Sequence, residues 1–389
     1  MSLFLSIVLD GVGIGEQPDA VLYGDEGSDT LGHVCAAEKP HLPNLSSLGL
    51  GNIKPLENVA ATTNPRASFG KMTEVSAGKD STTGHWELAG LTLDKAFPTY
   101  PDGFPTELLD AFCEKTGYQG VLGNIASSGT AIIEQFGAEH QKSGFPIAYT
   151  SADSVFQVAA HVETIPLDEL YRICQIARSE IFVGDHAVGR VIARPFEGEE
   201  GSYRRISEKR RDFSFEPTKT TLQEALQKHG IQTIAIGKIG DLFANKGFDQ
   251  ILKTKSNADG IQRMHAVLNE LAEAPKPTFI WTNLVDFDQE FGHRNNVKGF
   301  AKALEEFDQA LPDLLAALPD GANMFITADH GNDPTTPSTD HSREFVPFLH
   351  FVSGQSGQDL GTRATFADHA ATVAHYFGMD FPCNGKPLV

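Results

Sequence analysis

The sequence predicts an α/β fold, with helices on both faces of a mainly parallel sheet and a smaller domain inserted near its middle. Three observations predict it. Apolar strand-like runs alternate with helix-spaced segments through the C-terminal half of the 389 residues. Three separate apolar runs are each followed closely by an aspartate: Asp10, Asp288 and Asp329. The stretch 98–215 breaks this rhythm, opening at Phe97-Pro98-Thr99-Tyr100-Pro101 and closing in the charged run Glu208–Asp212. A chain of this length exceeds what a single core usually holds, about 250–300 residues. Residues 1–97 and 216–389 are therefore expected to form the main domain and 98–215 the inserted one.

The elements follow in order. Leu3–Leu9 reads as a buried strand that ends in Asp10. Gly11, Gly13 and Gly15 come next, without the spacing of a dinucleotide fingerprint or the lysine of a nucleotide P-loop. Close backbone approach around Asp10 is the better reason for them. Thr221–His229 reads as a helix, and Thr233–Ile236 as a short strand stopped by Gly237. Ile261–Leu271 is helical again, and Phe279–Leu284 is a strand. Phe300, Ala303, Leu304, Phe307, Leu311 and Leu314 recur at helical spacing. Met324–Ala328 is a strand, Phe345–Val352 a further apolar stretch, and Phe366–Phe377 a final helix. Sites in such sheets open beyond the carboxyl ends of the strands, which points all three aspartates at one edge.

Composition narrows the function. With 31 Lys and Arg against 51 Asp and Glu, the net charge is −20. A phosphate backbone would repel such a chain, so nucleic acid is not an expected partner. No apolar run approaches the ~18 residues of a membrane span, and nothing before Leu3 resembles the basic start of a secretory signal. Cys35, Cys113, Cys174 and Cys383 form no C-x-x-C pair, which fits free thiols in a reducing cytoplasm. The sequence leaves the oligomeric state open, a monomer included.

Three histidines join the aspartates. His330 adjoins Asp329, His341 follows eleven residues later, and His293 lies five residues after Asp288. Carboxylate and imidazole together suit divalent Mn, Mg or Zn, and six such groups can hold two ions. Two ions imply phosphoryl chemistry. Asp286 competes with Asp288 as a ligand, and Glu290 is also in range. Asp333 and Asp340 read as loop acids. The segment Gly78-Lys79-Asp80-Ser81-Thr82-Thr83-Gly84-His85-Trp86-Glu87 is glycine-flanked and rich in hydroxyls. Ser81, Thr82 or Thr83 would each serve as a nucleophile activated by metals. The same segment also reads as a helix N-terminus capped by Asp80 or Ser81.

These segments together resemble the phosphopentomutase family of the alkaline phosphatase superfamily. The resemblance rests on Ile7–Gly13, Gly78–Glu87, Tyr149–Val155, Asn283–Asp288, His293-Arg294, Thr327–Gly331 and Asp340-His341, and runs from about residue 3 to 378. It implies an alkaline-phosphatase-like three-layer sandwich with an inserted α/β cap. It implies two manganese ions, one on Asp10, Asp329 and His330, the other on Asp288, His293 and His341, which favours Asp288 over Asp286. The family nucleophile is a threonine directly after the motif's aspartate; here that position is Ser81, with Thr82 the alternative. Asp153 resembles a residue that bonds sugar hydroxyls, Arg194 and Arg210 resemble phosphate-binding arginines, and Lys238 resembles a lysine near the site. The implied reaction moves phosphate between C1 and C5 of ribose or deoxyribose, through a phosphoenzyme and a bisphosphate, after priming by a sugar bisphosphate.

Overall fold

In a computed structural model, residues 2–151 and 153–388 are described. The chain divides into two compact units, Met1–Ala96 with Pro217–Val389, and Phe97–Glu216. In chain order the strands are β1 (Leu3–Leu9), β2 (Ala67–Met72), β3 (Leu122–Ala126), β4 (Ile147–Thr150), β5 (Val155–His161), β6 (Arg190–Glu197) and β7 (Arg204–Arg205). They continue with β8 (Arg211–Ser214), β9 (Gln232–Ile236), β10 (Gln250–Leu252), β11 (Thr278–Leu284), β12 (Asn323–Thr327), β13 (Val346–Val352) and β14 (Asp359–Arg363). Five helices bear on the argument: α1 (Ser81–Leu88), α2 (Gly129–Ser143), α3 (Asn257–Glu273), α4 (Val297–Ala317) and α5 (Asp368–Tyr376).

The larger unit is built on an eight-stranded sheet of order β10-β9-β11-β1-β12-β13-β2-β14. Seven strands run the same way, and β13 alone is antiparallel to both its neighbours. Strands β1, β11 and β12 are buried at every residue, which requires cover on both faces. Helices α3 and α4 pack against each other, as do α5 and α1. His369 of α5 ties that second layer to the sheet. Its Nε2 lies 2.7 Å from Ser6 Oγ on β1, and its Nδ1 donates to the Leu88 carbonyl at the end of α1, 2.8 Å away. The fold of this unit is thus a mixed α/β sandwich around a largely parallel sheet.

Every strand expected in the C-terminal half is present within a residue of its expected end. Strands β2, β10 and β14 were not anticipated. The smaller unit holds a six-stranded sheet of order β3-β4-β5-β6-β7, with β8 also paired to β6. One face carries Phe104, Phe112, Phe156 and Phe182; the other carries Ile132, Ile133, Ile147, Tyr149, Phe196 and Tyr203, which include the α2 side chains.

Candidate active site

Four parallel neighbours, β9, β11, β1 and β12, end at one edge of the larger sheet. Just beyond them stand Lys238, Asp288, Asp10 and Asp329, each released where the strand stops and the backbone can turn inward. Gly11, at φ +76°, makes that turn after β1, and its N–H donates to Asp329 Oδ1 at 3.1 Å. Gly84 permits a second close approach: a Cβ there would collide with the Asp329 carbonyl oxygen, so only glycine lets α1 lie on the ligand loop.

Asp10, Asp329 and His330 each present a ligand atom within 4.8 Å of the others, and Asp288, His330 and His341 do the same. All are buried. His293 lies beside the second group, with Nε2 3.2 Å from Asp288 Oδ2 and its ring 4.8 Å from that of His341. Asp286 points elsewhere and accepts from the Asn257 N–H at 2.7 Å, at the first turn of α3. Glu290 pairs with Arg294 at 3.0 Å and Asp340 with Lys79 at 3.3 Å. Asp333 is buried and binds His33 Nδ1 at 2.6 Å and the Asp29 N–H at 3.0 Å.

The donor set fits two divalent cations. Burial opposes ionisation of Asp288, yet the imidazoles of His293 and His341 outweigh it and hold the carboxyl well below its usual range. For Asp329 burial is likewise outweighed, by His330 and His85. Burial favours neutral His330, but Asp329 and Asp10 push its proton affinity well above normal. Such a cage demands positive charge, which metal ions supply in place of protons. Two buried ligand atoms also lack any hydrogen bond, Asp329 Oδ2 and His341 Nε2. His85 Nδ1 stands 3.0 Å from that Asp329 oxygen, but its hydrogen bond goes to the Ser81 carbonyl at 2.8 Å.

Each aspartate has an orienting neighbour that sequence reasoning missed. Asn283 Nδ2 donates to Asp10 Oδ2 at 3.1 Å, and Asn332 Nδ2 to Asp288 Oδ1 at 2.7 Å. His85 attends Asp329. Two weak signals were available. Asn283 is a polar residue closing an apolar strand, and His85 follows Ser81 by four residues, hence on the same face of a helix.

The hydroxyl segment forms the start of α1. Asp80 is its N-cap, accepting from the N–H groups of Thr82 and Thr83 at 3.0 and 3.2 Å. Thr83 Oγ1 also donates to Asp80, at 2.6 Å. Ser81, the first helical residue, is free to face the acids. Its Oγ lies 3.1 Å from His330 Nε2, 3.4 Å from Asp10 Oδ1 and 2.9 Å from Lys238 Nζ. Capping and a reactive hydroxyl therefore coexist on adjacent residues.

The remaining expected residues lie in the smaller unit. Asp153 pairs with Arg190 at 3.1 Å; its neighbour Ala152 falls outside the described residues. Arg194 on β6 donates to Gln157 Oε1 at 2.6 Å. Arg210 grips Asp212 with two hydrogen bonds, both 2.7 Å. No helix among the described residues is long and apolar enough to cross a membrane.

Comparison with known proteins completes the picture. The family model for the metalloenzyme superfamily matches residues 2–381. A phosphopentomutase of Desulfitobacterium hafniense is 53% identical over 393 residues, covering 100% of this chain and 99% of that protein. A phosphopentomutase of Caldanaerobacter subterraneus is 54% identical, covering 96% and 93% of the two chains, and one of Dictyoglomus thermophilum is 50% identical over 100% and 98%. At 50–54% identity over 96–100% of its length, the chain belongs to the phosphopentomutase family.

Proposed function

We propose that the chain moves phosphate between C1 and C5 of ribose or deoxyribose, interconverting the 1- and 5-phosphates through a phosphoenzyme carried on Ser81. The observation that carries this reading is the setting of Ser81 Oγ, a buried hydroxyl in contact with His330, Asp10 and Lys238 at once. Asp10, Asp329 and His330 hold one divalent ion, and Asp288, His293 and His341 the other. Bound there, the ions, manganese by the family resemblance, supply Lewis acidity for the hydroxyl and offset phosphoryl charge.

In the resting enzyme Ser81 carries the phosphoryl group, left there by a sugar bisphosphate. The N-terminus of α1 lies at that residue, where its dipole favours negative charge. Arg194 and Arg210 bind the phosphate of the incoming sugar, and Asp153 its hydroxyls. The free sugar hydroxyl attacks phosphorus, the bond to Ser81 Oγ breaks, and the hydroxyl proton passes in net to that oxygen. Lys238 Nζ, 2.9 Å away, steadies the charge that builds on Oγ as it leaves. The bisphosphate turns, Ser81 Oγ attacks its other phosphoryl group, and the monophosphate leaves with its phosphate relocated. The net charge of −20 and four free cysteines support a cytoplasmic enzyme without nucleic-acid or membrane partners.

Mass spectrometry of the active protein tests the reading. Phosphate is expected on Ser81, and a Ser81→Ala variant is expected neither to take up label nor to interconvert pentose phosphates. Full mutase activity in that variant, or label on Thr82, would reject the assignment.

A further inference from the structure

Residues 74–78 lead toward Ser81 at the start of α1 and belong to no helix or strand. Their backbone groups must therefore find partners elsewhere, and two buried charged side chains supply most of them. Arg343 Nη1 donates to the carbonyls of Ser76 and Gly78 at 2.8 and 2.7 Å, and its Nη2 to that of Glu74 at 2.8 Å. Glu87, on α1 itself, accepts from the N–H of Val75 at 3.1 Å and from that of Ser76 at 2.7 Å. The Gly78 N–H donates to Tyr23 Oη at 3.3 Å, and the Tyr23 ring lies 4.9 Å from the Arg343 guanidinium. Nε and Nη2 of Arg343 also donate to Asp19 Oδ2, at 3.2 and 3.0 Å, and the Glu74 carboxylate stands 2.9 Å from Nη1. Every guanidinium N–H thus has an acceptor, an arrangement that a single ammonium cannot reproduce.

We propose that Arg343 is a positioning residue for the nucleophile, a clamp that Tyr23 completes. The inference rests on the reading that Ser81 carries the phosphoryl group. Arg343 follows His341 by two residues, so its backbone belongs to a metal-ligand loop while its side chain holds the segment that delivers Ser81. Only Lys79 and Asp80 separate Gly78 from Ser81. Lys79 is pinned by Asp25 at 3.0 Å, and Asp25 also accepts the Arg343 N–H at 2.9 Å. Gly78, at φ +136°, lies so close to α1 that a Cβ would meet Thr83 Oγ1 at 2.8 Å. Few dihedrals are left by which Ser81 could drift from the acids. Balancing a buried charge would need only Glu74 and Asp19; the grip on alternate carbonyls of one segment goes beyond that need. In-line transfer depends on such placement, since a displacement of about 1 Å can cost about 100-fold in rate.

The full-length, manganese-loaded protein is assayed as wild type, Arg343→Lys, Arg343→Ala and Tyr23→Phe. Labelling of Ser81 by a sugar bisphosphate, and kcat for ribose 5-phosphate formation, should fall at least about tenfold in both Arg343 variants, while KM and Mn²⁺ affinity move by less than about threefold. Tyr23→Phe keeps the ring and loses one neutral hydrogen bond, so it should fold and lower kcat about three- to tenfold. Millimolar guanidinium, which matches the group removed in Arg343→Ala, should raise that variant's kcat at least about threefold and leave the wild type unchanged. The Gly78 amide should exchange its hydrogen faster in all three variants, while amides of β1 and β11 keep their wild-type rates. Labelling and kcat within about threefold of wild type in Arg343→Lys overturn the proposal. So does a loss of kcat matched by an equal loss of Mn²⁺ affinity, or one in Arg343→Ala that guanidinium does not relieve. Should neither Arg343 variant fold, Tyr23→Phe decides, and a wild-type kcat there overturns the proposal. If the wild type carries its label on Thr82 while Arg343→Lys still slows that labelling, the reading of Ser81 falls and the clamp stands. If Ser81 takes up label at the wild-type rate in every variant, the clamp falls and the functional reading stands.

Discussion

Replacing Lys238 by methionine removes the cation next to the Ser81 oxygen while keeping most of the side chain's bulk. Lys238 Nζ lies 2.9 Å from Ser81 Oγ and 3.5 Å from Asp10 Oδ2. At an effective dielectric near 20, one charge pair at that second distance has a gross energy of about 5 kcal/mol. The side chain is one-fifth exposed, so solvent screens it, and the net value is better taken from charged hydrogen bonds, about 1.5–3 kcal/mol. That bond strengthens as charge builds on the departing oxygen, so it acts on the transition state rather than on substrate binding. The expected result is a kcat lowered about 10- to 150-fold with KM for ribose 5-phosphate moved by less than about threefold. A coupled assay of ribose 5-phosphate formation gives both constants, and calorimetry with Mn²⁺ checks that the ligands are intact. Lys238→Arg should recover only part of the loss, since a fork does not reproduce a point charge. A kcat within about threefold of wild type, or a loss confined to KM, would show that Lys238 only binds substrate and would refute the reasoning.

Asn332→Ala removes the donor that orients Asp288, and Mn²⁺ affinity by calorimetry should fall roughly 10- to 100-fold; an unchanged affinity would remove Asn332 from the metal site's support. Gly84→Ala pushes a methyl group into the Asp329 carbonyl, so α1 must lift and carry Ser81 with it; labelling of Ser81 by a sugar bisphosphate should slow by at least about tenfold, and wild-type labelling would mean the contact relaxes harmlessly. His350 and His369 are held neutral by burial, each with its pKa lowered from 6.5 to about 4. Each binds its proton more weakly folded than unfolded, so its stabilisation is complete above pH 6.5 and is lost as pH falls toward 4. At pH 5 the loss is about 2 kcal/mol per histidine, readable as a lower urea midpoint than at pH 7. Equal midpoints would show that neither ring is held neutral.

The central strands were legible because they are buried on both faces and therefore read as unbroken apolar runs, as in Leu3–Leu9 and Phe279–Leu284. The edge of the sheet was not. β14, Asp-Leu-Gly-Thr-Arg, is largely exposed and carries no periodic signal, and β10 has three residues. β2 contains Gly70 and Lys71, which weaken any strand reading, yet Gly70 is there because the Gly361 carbonyl of β14 would collide with a Cβ. That reason exists only once two segments far apart in sequence are paired. The reversal of β13 was hidden for a related cause: an apolar run states that a strand is buried, not which way it runs.

The choice between Asp286 and Asp288 shows where local pattern stops informing the site. Had the strand continued, the two would have shared a face. It ends at Leu284 instead, and a helical turn at Phe287–Phe291 sends Asp288 inward while Asp286 satisfies an N–H at the start of α3. The ligand types were readable because a buried carboxylate past a strand end needs a charge partner wherever it lies. Their orienting groups were not, because an asparagine or histidine acquires such a role only from what it meets. Asn283 reaches Asp10 across 273 positions of sequence and His85 reaches Asp329 from another layer of the fold. Asn332 is held in turn by Thr30, whose hydroxyl accepts from the Asn332 N–H at 3.2 Å and donates to the buried Glu344 at 2.7 Å. Glu344 also accepts from Gly15 and Ser342, so one carboxylate joins the loops that follow β1 and β12. The spacing of the cage is therefore fixed by residues that carry no mark of chemistry in the sequence, and a ligand set transplanted without them would lose its geometry before its charge.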